Sequence, residues 1–154
     1  MHQTDRKNEM PNKTFLRLIV FSILLSLSFQ VGALEIIVND SVSHKALPIE
    51  TVTAIFRGRK KHWKEGKNNI TVVLFKGTDK GTKLNRNLCI NLLGIGYRGF
   101  SQEWKQSIYS IASKKPIYVD SRQEMIKIVS STPGAIGFID LPTEGDGYHV
   151  LQID

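Results

Sequence analysis

The chain has 154 residues, a single cysteine, and 21 Lys and Arg against 14 Asp and Glu, for a formal charge of +7. This length suits one hydrophobic core and one domain. A lone cysteine excludes an intrachain disulfide framework, and a single short apolar run excludes a membrane pore.

Residues 1–17 are polar and carry Arg6, Lys7, Lys13 and Arg17 against Asp5 and Glu9. Residues 18–29 (LIVFSILLSLSF) then hold no charge. Spanning a bilayer takes about 20 apolar residues, so this run is too short to span, but it suits the apolar stretch of an export signal. The small residues Val31-Gly32-Ala33 follow, which places a cleavage after Ala33. Residues 1–33 are therefore expected to be a signal peptide. Residues 34–154 would be the working domain, delivered to the periplasm with a net charge of +5. A retained membrane anchor is the competing reading, and a buried core helix a weaker one. No lipid-accepting cysteine follows the run.

In the remaining chain, 34–38 (LEIIV) reads as a strand buried on both faces. Pro48 opens a short helix with Val52, Ile55 and Phe56 on its apolar stripe, ended by Gly58. Residues 70–75 (ITVVLF) form a second buried strand. Asp79 fits as an N-cap, followed at helical spacing by Leu84, Leu88, Cys89, Leu92 and Leu93, with Gly94 as the stop. Ser101 starts another helix, with Trp104, Ile108, Ile111 and Ala112 on one face. Residues 116–119 are a short strand. Ser121-Arg122-Gln123-Glu124 matches a capping box, and Met125, Ile126 and Val129 carry the helix behind it. Pro133-Gly134 is a turn, 135–139 (AIGFI) a third buried strand and 149–153 a last one. Strands alternate with helices throughout, which predicts an α/β domain with helices packed on a mostly parallel sheet.

The turn after the second buried strand is the most informative segment: Lys76-Gly77-Thr78-Asp79-Lys80-Gly81-Thr82-Lys83. It joins the carboxyl end of a strand to a helix start, the place where open α/β sheets bind ligands. Glycines let backbone approach a ligand closely. The unpaired amides of a helix start attract anions, helped by the helix dipole. Thr78 and Thr82 add hydroxyls, and Lys76, Lys80 and Lys83 add charge. Phosphate, sulfate or a similar oxyanion is the expected ligand. The spacing is not that of a P-loop.

Other segments carry less. Arg57, Arg59, Lys60, Lys61, Lys64 and Lys67 surround His62 and Trp63, and read as a solvated loop whose Trp63 packs into the domain. An exported protein seldom meets nucleic acid, so that partner is not expected. His44, His62 and His149 lie far apart without a thiol or carboxylate at ligand spacing, so no metal is expected. Asp140, Glu144 and Asp146 fall in a turn-forming stretch. No nucleophile–base pair can be assembled from the sequence, and no enzyme is expected. Cys89 reads as a small buried hydrophobe.

From about residue 34 to 154 the chain resembles short proteins related to the substrate-binding component of phosphate ABC transporters, in the type 2 periplasmic-binding-protein superfamily. The ordered segments that carry the resemblance are Ile36-Val38-Asn39, Ile55-Phe56-Arg57-Gly58 with Trp63-Lys64-Glu65-Gly66, the KGTDKGT turn, the helix from Ser121 to Val129, and Pro133-Gly134-Ala135-Ile136-Gly137-Phe138. In that family the turn reads as arginine, then aspartate, then Ser-Gly-Thr, and its side chains and amides hold phosphate. By position these become Lys76, Asp79 and Lys80-Gly81-Thr82. Asp79, Gly81 and Thr82 match; Lys76 keeps the charge without the bidentate fork, and Lys80 puts a cation where the family has a hydroxyl. The resemblance implies a single periplasmic-binding-protein-like lobe without a cofactor. It would bind phosphate or a similar oxyanion through Lys76, Thr78, Asp79, Lys80, Gly81 and Thr82. It would serve phosphate uptake or sensing, with an ABC permease or an envelope sensor protein as partner. A homodimer would rebuild a two-lobed cleft. The alternative is an interaction module of the cell envelope that keeps the lobe without the ligand.

Overall fold

The computed structural model describes residues 34–64, 67–110, 114–140 and 145–154, with backbone alone at 67, 68, 79, 80 and 110. The expected signal peptide lies outside these residues, as do Ile111, Ala112 and Glu144. Strand β1 (Glu35–Asn39) is followed by the two-residue β2 (Ala46–Leu47) and helix α1 (Ile49–Phe56). Strands β3 (His62–Lys64) and β4 (Lys67–Asn69) form a hairpin ahead of β5 (Thr71–Phe75). Helix α2 (Asp79–Asn87) runs into a π-helical turn (Leu88–Leu92). Helix α3 (Tyr97–Ser110), β6 (Ile117–Val119), α4 (Arg122–Ser131), β7 (Ala135–Ile139) and β8 (Tyr148–Ile153) complete the order.

Six strands form one sheet in the order β2-β8-β1-β7-β5-β6. β5 pairs in parallel with both β6 and β7, and β2 with β8. β1 runs the other way between β7 and β8, with Ile37 opposite Gly137 on one side and Val150 on the other. The expected mostly parallel α/β sheet is present, with the first strand as its one reversed member.

Gly137 and Phe138 point to opposite faces of β7, and both faces are covered. On one, α4 lays Met125 and Val129 against Gly137, where a side chain would collide with Met125. On the other, Phe138 meets the rings of Phe56 from α1 and Phe75 from β5 edge-on, with centroids 6.0 and 5.3 Å apart. All five residues of β7 are buried, as expected for a central strand sandwiched between helices. Helix α3 joins the second face through Trp104, whose Nε1 donates to the Phe56 carbonyl at 2.8 Å. Cys89 is fully buried, and burial pushes its thiol up to about 11.

Local chemistry explains most boundaries. Gly58 takes φ +71° and ends α1, and Gly94 takes φ +61° after the π turn. Ser121 caps α4, its Oγ accepting from the Glu124 amide at 3.1 Å, while Glu124 reaches back to the Asp120 amide at 2.7 Å. Asn39 closes the other end of α4: its side-chain amide donates to the carbonyls of Val129 and Ser130 at 2.9 and 2.8 Å.

Three expectations are corrected. Thr78, not Asp79, is the N-cap of α2: its backbone is extended and its Oγ1 accepts from the Gly81 amide, which leaves Asp79 in the first turn. Helix α3 begins at Tyr97 rather than Ser101. The basic run is a loop only from Arg57 to Lys61; Lys64 and Lys67 lie on the β3–β4 hairpin, and Trp63 packs inward as expected, its Nε1 donating to the Gly134 carbonyl at 3.0 Å.

Candidate functional site

The carboxyl ends of β5 and β6 lie side by side, and each leads directly into a helix, α2 or α4. Two helix N-termini therefore open at one edge of the sheet. The Lys76 amide donates to the Val119 carbonyl at 2.8 Å, which fixes the two strand ends together. The buried Asn85 of α2 donates to the Phe75 carbonyl at 2.7 Å, which ties the helix back to its own strand.

Within this frame the turn is tightly folded. Gly81 is buried, and a Cβ there would drive into the Lys76 carbonyl oxygen while meeting Thr78 Oγ1 at 3.0 Å and Phe75 Cβ at 3.1 Å. Only glycine fits. Gly77 has open space around it. The Thr82 amide bonds the Thr78 carbonyl at 2.6 Å, so the first helical turn closes at Thr82. The amides of Asp79 and Lys80 come before any turn that could supply acceptors. Thr78 uses an oxygen lone pair for its cap and keeps its hydroxyl hydrogen to donate outward.

Of the six expected site residues, Lys76, Thr78, Gly81 and Thr82 thus come together at one strand–helix junction; the side chains of Asp79 and Lys80 lie outside the described set. The sequence did not reveal a seventh participant. Asp120, 44 positions away at the end of β6, forms an ion pair with the Lys76 ammonium. The hydrogen bond to Asp120 raises the Lys76 pKa, and the charge of Glu124 adds to the effect. Lys76 is therefore charged at neutral pH but already holds a carboxylate partner, which an incoming anion must displace.

The basic run divides in two. Arg57 and Arg59, at the end of α1, both pair with Glu103 of α3, Arg57 through two nitrogens. The hydrogen bond from Arg57 holds the Glu103 carboxyl below its usual range. Lys60 and Lys61 continue past this cluster toward the amino end of β5. Among the described residues no helix is long and apolar enough to cross a membrane.

A mixed sheet covered on both faces, with strand–turn–helix junctions gathered at one end, makes this an open α/β lobe, and its likeness to solved structures shows a periplasmic-binding-protein fold. Solved structures make the comparison particular. A Vibrio cholerae ABC-type phosphate transport receptor is similar at 21% identity and a TM-score of 0.57, over 78% of this chain and 45% of the receptor. A putative phosphate ABC transporter substrate-binding protein with bound phosphate, from Clostridium perfringens, is similar at 18% and 0.55, over 78% and 44%. PstS from Borrelia burgdorferi is similar at 19% and 0.55, over 79% and 47%. At these identities the likeness shows the fold, and the chain spans less than half the length of each of these proteins. No protein-family description and no curated protein matches the sequence.

Proposed function

We propose that this chain is an exported, non-enzymatic oxyanion-binding lobe that takes phosphate at the strand–helix junction from Lys76 to Thr82. The observation that carries the reading is Gly81 packed beneath the Lys76 carbonyl. This packing and the Thr78 cap hold the start of α2 in one shape directly after Lys76. Preorganised amides bind an anion without a folding cost at the moment of binding. The similar receptors, one of them with bound phosphate, support the choice of anion.

Lys76 and an exposed turn face water, so each contact competes with hydration and screening. Affinity in the millimolar range, about −4 kcal/mol, is the expectation for the lobe alone. A second copy or an ABC permease would tighten it by covering the open side. Isothermal titration of the domain with phosphate and with sulfate tests the reading: binding that disappears in Thr78→Ala and strengthens in Asp120→Asn supports it. No heat at ten-millimolar-order ligand (about that scale, given the expected affinity) sinks it. Export is tested by the mass of the protein recovered from cells, since a chain still carrying residues 1–33 in its soluble form contradicts cleavage.

The second reading, an interaction module of the cell envelope without a ligand, is favoured by the Lys76–Asp120 pair. That pair fills with a carboxylate the position where the anion would sit.

A further inference from the structure

The chain enters β8 through Gly145-Asp146-Gly147, and Asp146-Gly147 is the one place in the sequence where an aspartate or asparagine precedes a glycine. The pair forms a turn in which Asp146 is exposed and Gly147 takes φ +85°. No described residue bonds the Asp146 carboxylate or accepts from the Gly147 amide.

The two residues are held very differently. Gly147 is fixed from its carbonyl side: its oxygen accepts from the Asp40 amide at 3.1 Å and from Asn39 Nδ2 at 3.3 Å. A Cβ there would meet Ser130 Cβ at 3.0 Å and the Ser130 carbonyl oxygen at 3.1 Å, and an L side chain is strained at that φ. The position therefore takes glycine. Asp146 carries no such constraint. The fold thus keeps an unengaged carboxylate directly before the residue whose amide is least shielded, since glycine has no side chain to stand in the way. Small, polar turn tips of this kind are also where a chain has most freedom to move.

We infer that Asp146 is a site of spontaneous isomerisation to isoaspartate. The Gly147 nitrogen attacks Asp146 Cγ; the N–Cγ bond forms, the carboxyl C–O bond breaks, and the oxygen leaves as water, taking up the amide proton. The product is a five-membered succinimide, closed by groups already adjacent in the chain, so no translational freedom is lost in bringing them together. Water then opens the ring. Attack at Cγ restores aspartate, whereas attack at the backbone carbonyl leaves the chain running through Cβ and Cγ, with the α-carboxylate free. The mass is unchanged, and water is the one co-reactant. Isoaspartate adds a methylene to the backbone just before β8. Tyr148, the next residue but one, is buried and pairs with Asn39. The extra length must therefore be taken up at Gly147, at the expense of its bonds to Asp40 and Asn39.

The purified protein is aged in warm neutral buffer, folded and, in parallel, in urea. It is then digested with a protease that cuts before aspartate but not isoaspartate, and the peptides are sequenced by electron-transfer fragmentation. An isoaspartyl peptide of unchanged mass is expected to accumulate at position 146 in the folded wild type and to be absent from Asp146→Glu, whose ring would have six members. Asp146→Asn closes the same ring with ammonia leaving, so its mass is expected to rise to that of the wild type over the same period. Isoaspartate that forms only in urea, none at all, or an Asp146→Asn protein that keeps its mass overturns the inference, because the folded turn then blocks ring closure. The isolated isoaspartyl form is expected to unfold at a lower urea midpoint than the unmodified protein; an equal midpoint overturns the strain assigned to the entry of β8.

Discussion

The two glycines of the KGTDKGT turn should respond oppositely to the same substitution. In Gly81→Ala the added methyl meets the Lys76 carbonyl oxygen, a backbone atom. That carbonyl cannot simply yield. The Lys76 amide is bound to Val119 and the preceding carbonyl of Phe75 is held by Asn85. Forcing the turn open costs about 1–3 kcal/mol, as overpacking does elsewhere, and disturbing the Thr78 cap adds about 1 kcal/mol. Alanine returns about 1 kcal/mol of helix propensity. The net is a loss of about 2 kcal/mol, which in a domain of this size lowers Tm by roughly 6–10 °C. Gly77→Ala meets nothing within 4 Å and lies outside the φ range that favours glycine. It is expected to be neutral or to stabilise by about 0.4–1 kcal/mol through the unfolded chain. Urea unfolding of the two variants beside the wild type measures both, and phosphate titration follows the site. If Gly81→Ala is as stable as wild type, helix propensity outweighs the clash and the rigid-turn argument fails.

Two further perturbations test parts of the frame. Asn39→Ala removes a buried amide that holds the carboxyl end of α4 and orphans two carbonyls; a loss of about 2–3 kcal/mol is expected in denaturant unfolding, and a change below about 0.5 kcal/mol, the scale of a surface substitution, would contradict the role. Glu103→Gln tests the arginine clamp between α1 and α3. Because Arg57 lowers the Glu103 pKa in the folded state, its contribution is fully present above the unfolded value of 4.5 and is lost as pH falls below it. The variant should lose about 1 kcal/mol at pH 7, the upper end for a solvent-screened pair, and show a flatter loss of stability in acid. Parallel acid-unfolding profiles for the two proteins would refute the assignment.

The buried strands and the capping box were legible because their signals are local. The runs IIV, VVLF and AIGFI need no partner to be recognised, and Ser121 with Glu124 satisfies its own helix end. The hairpin was hidden because HWK and KNN hold one apolar residue, Trp63, among cations, amides and an imidazole, so no alternation emerges. Adjacent Thr78 and Asp79 are both good caps, and the choice between them depends on where the strand lets the chain turn. The junction from Lys76 to Thr82 could be located from spacing alone. Its partner Asp120 could not, because the parallel pairing of β5 with β6 is what brings the two together.

The reversed strand β1 also has a consequence for the order of events. Among the described strands it is the first in sequence, yet its two neighbours are β7 and β8, the last two. Until residues 148–153 have left the ribosome, β1 has only one flank to pair with, and for most of synthesis it has neither. Contacts so distant in sequence form late and slowly. The centre of the sheet is thus closed by residues 135–153, after every strand between β1 and β7 has been made.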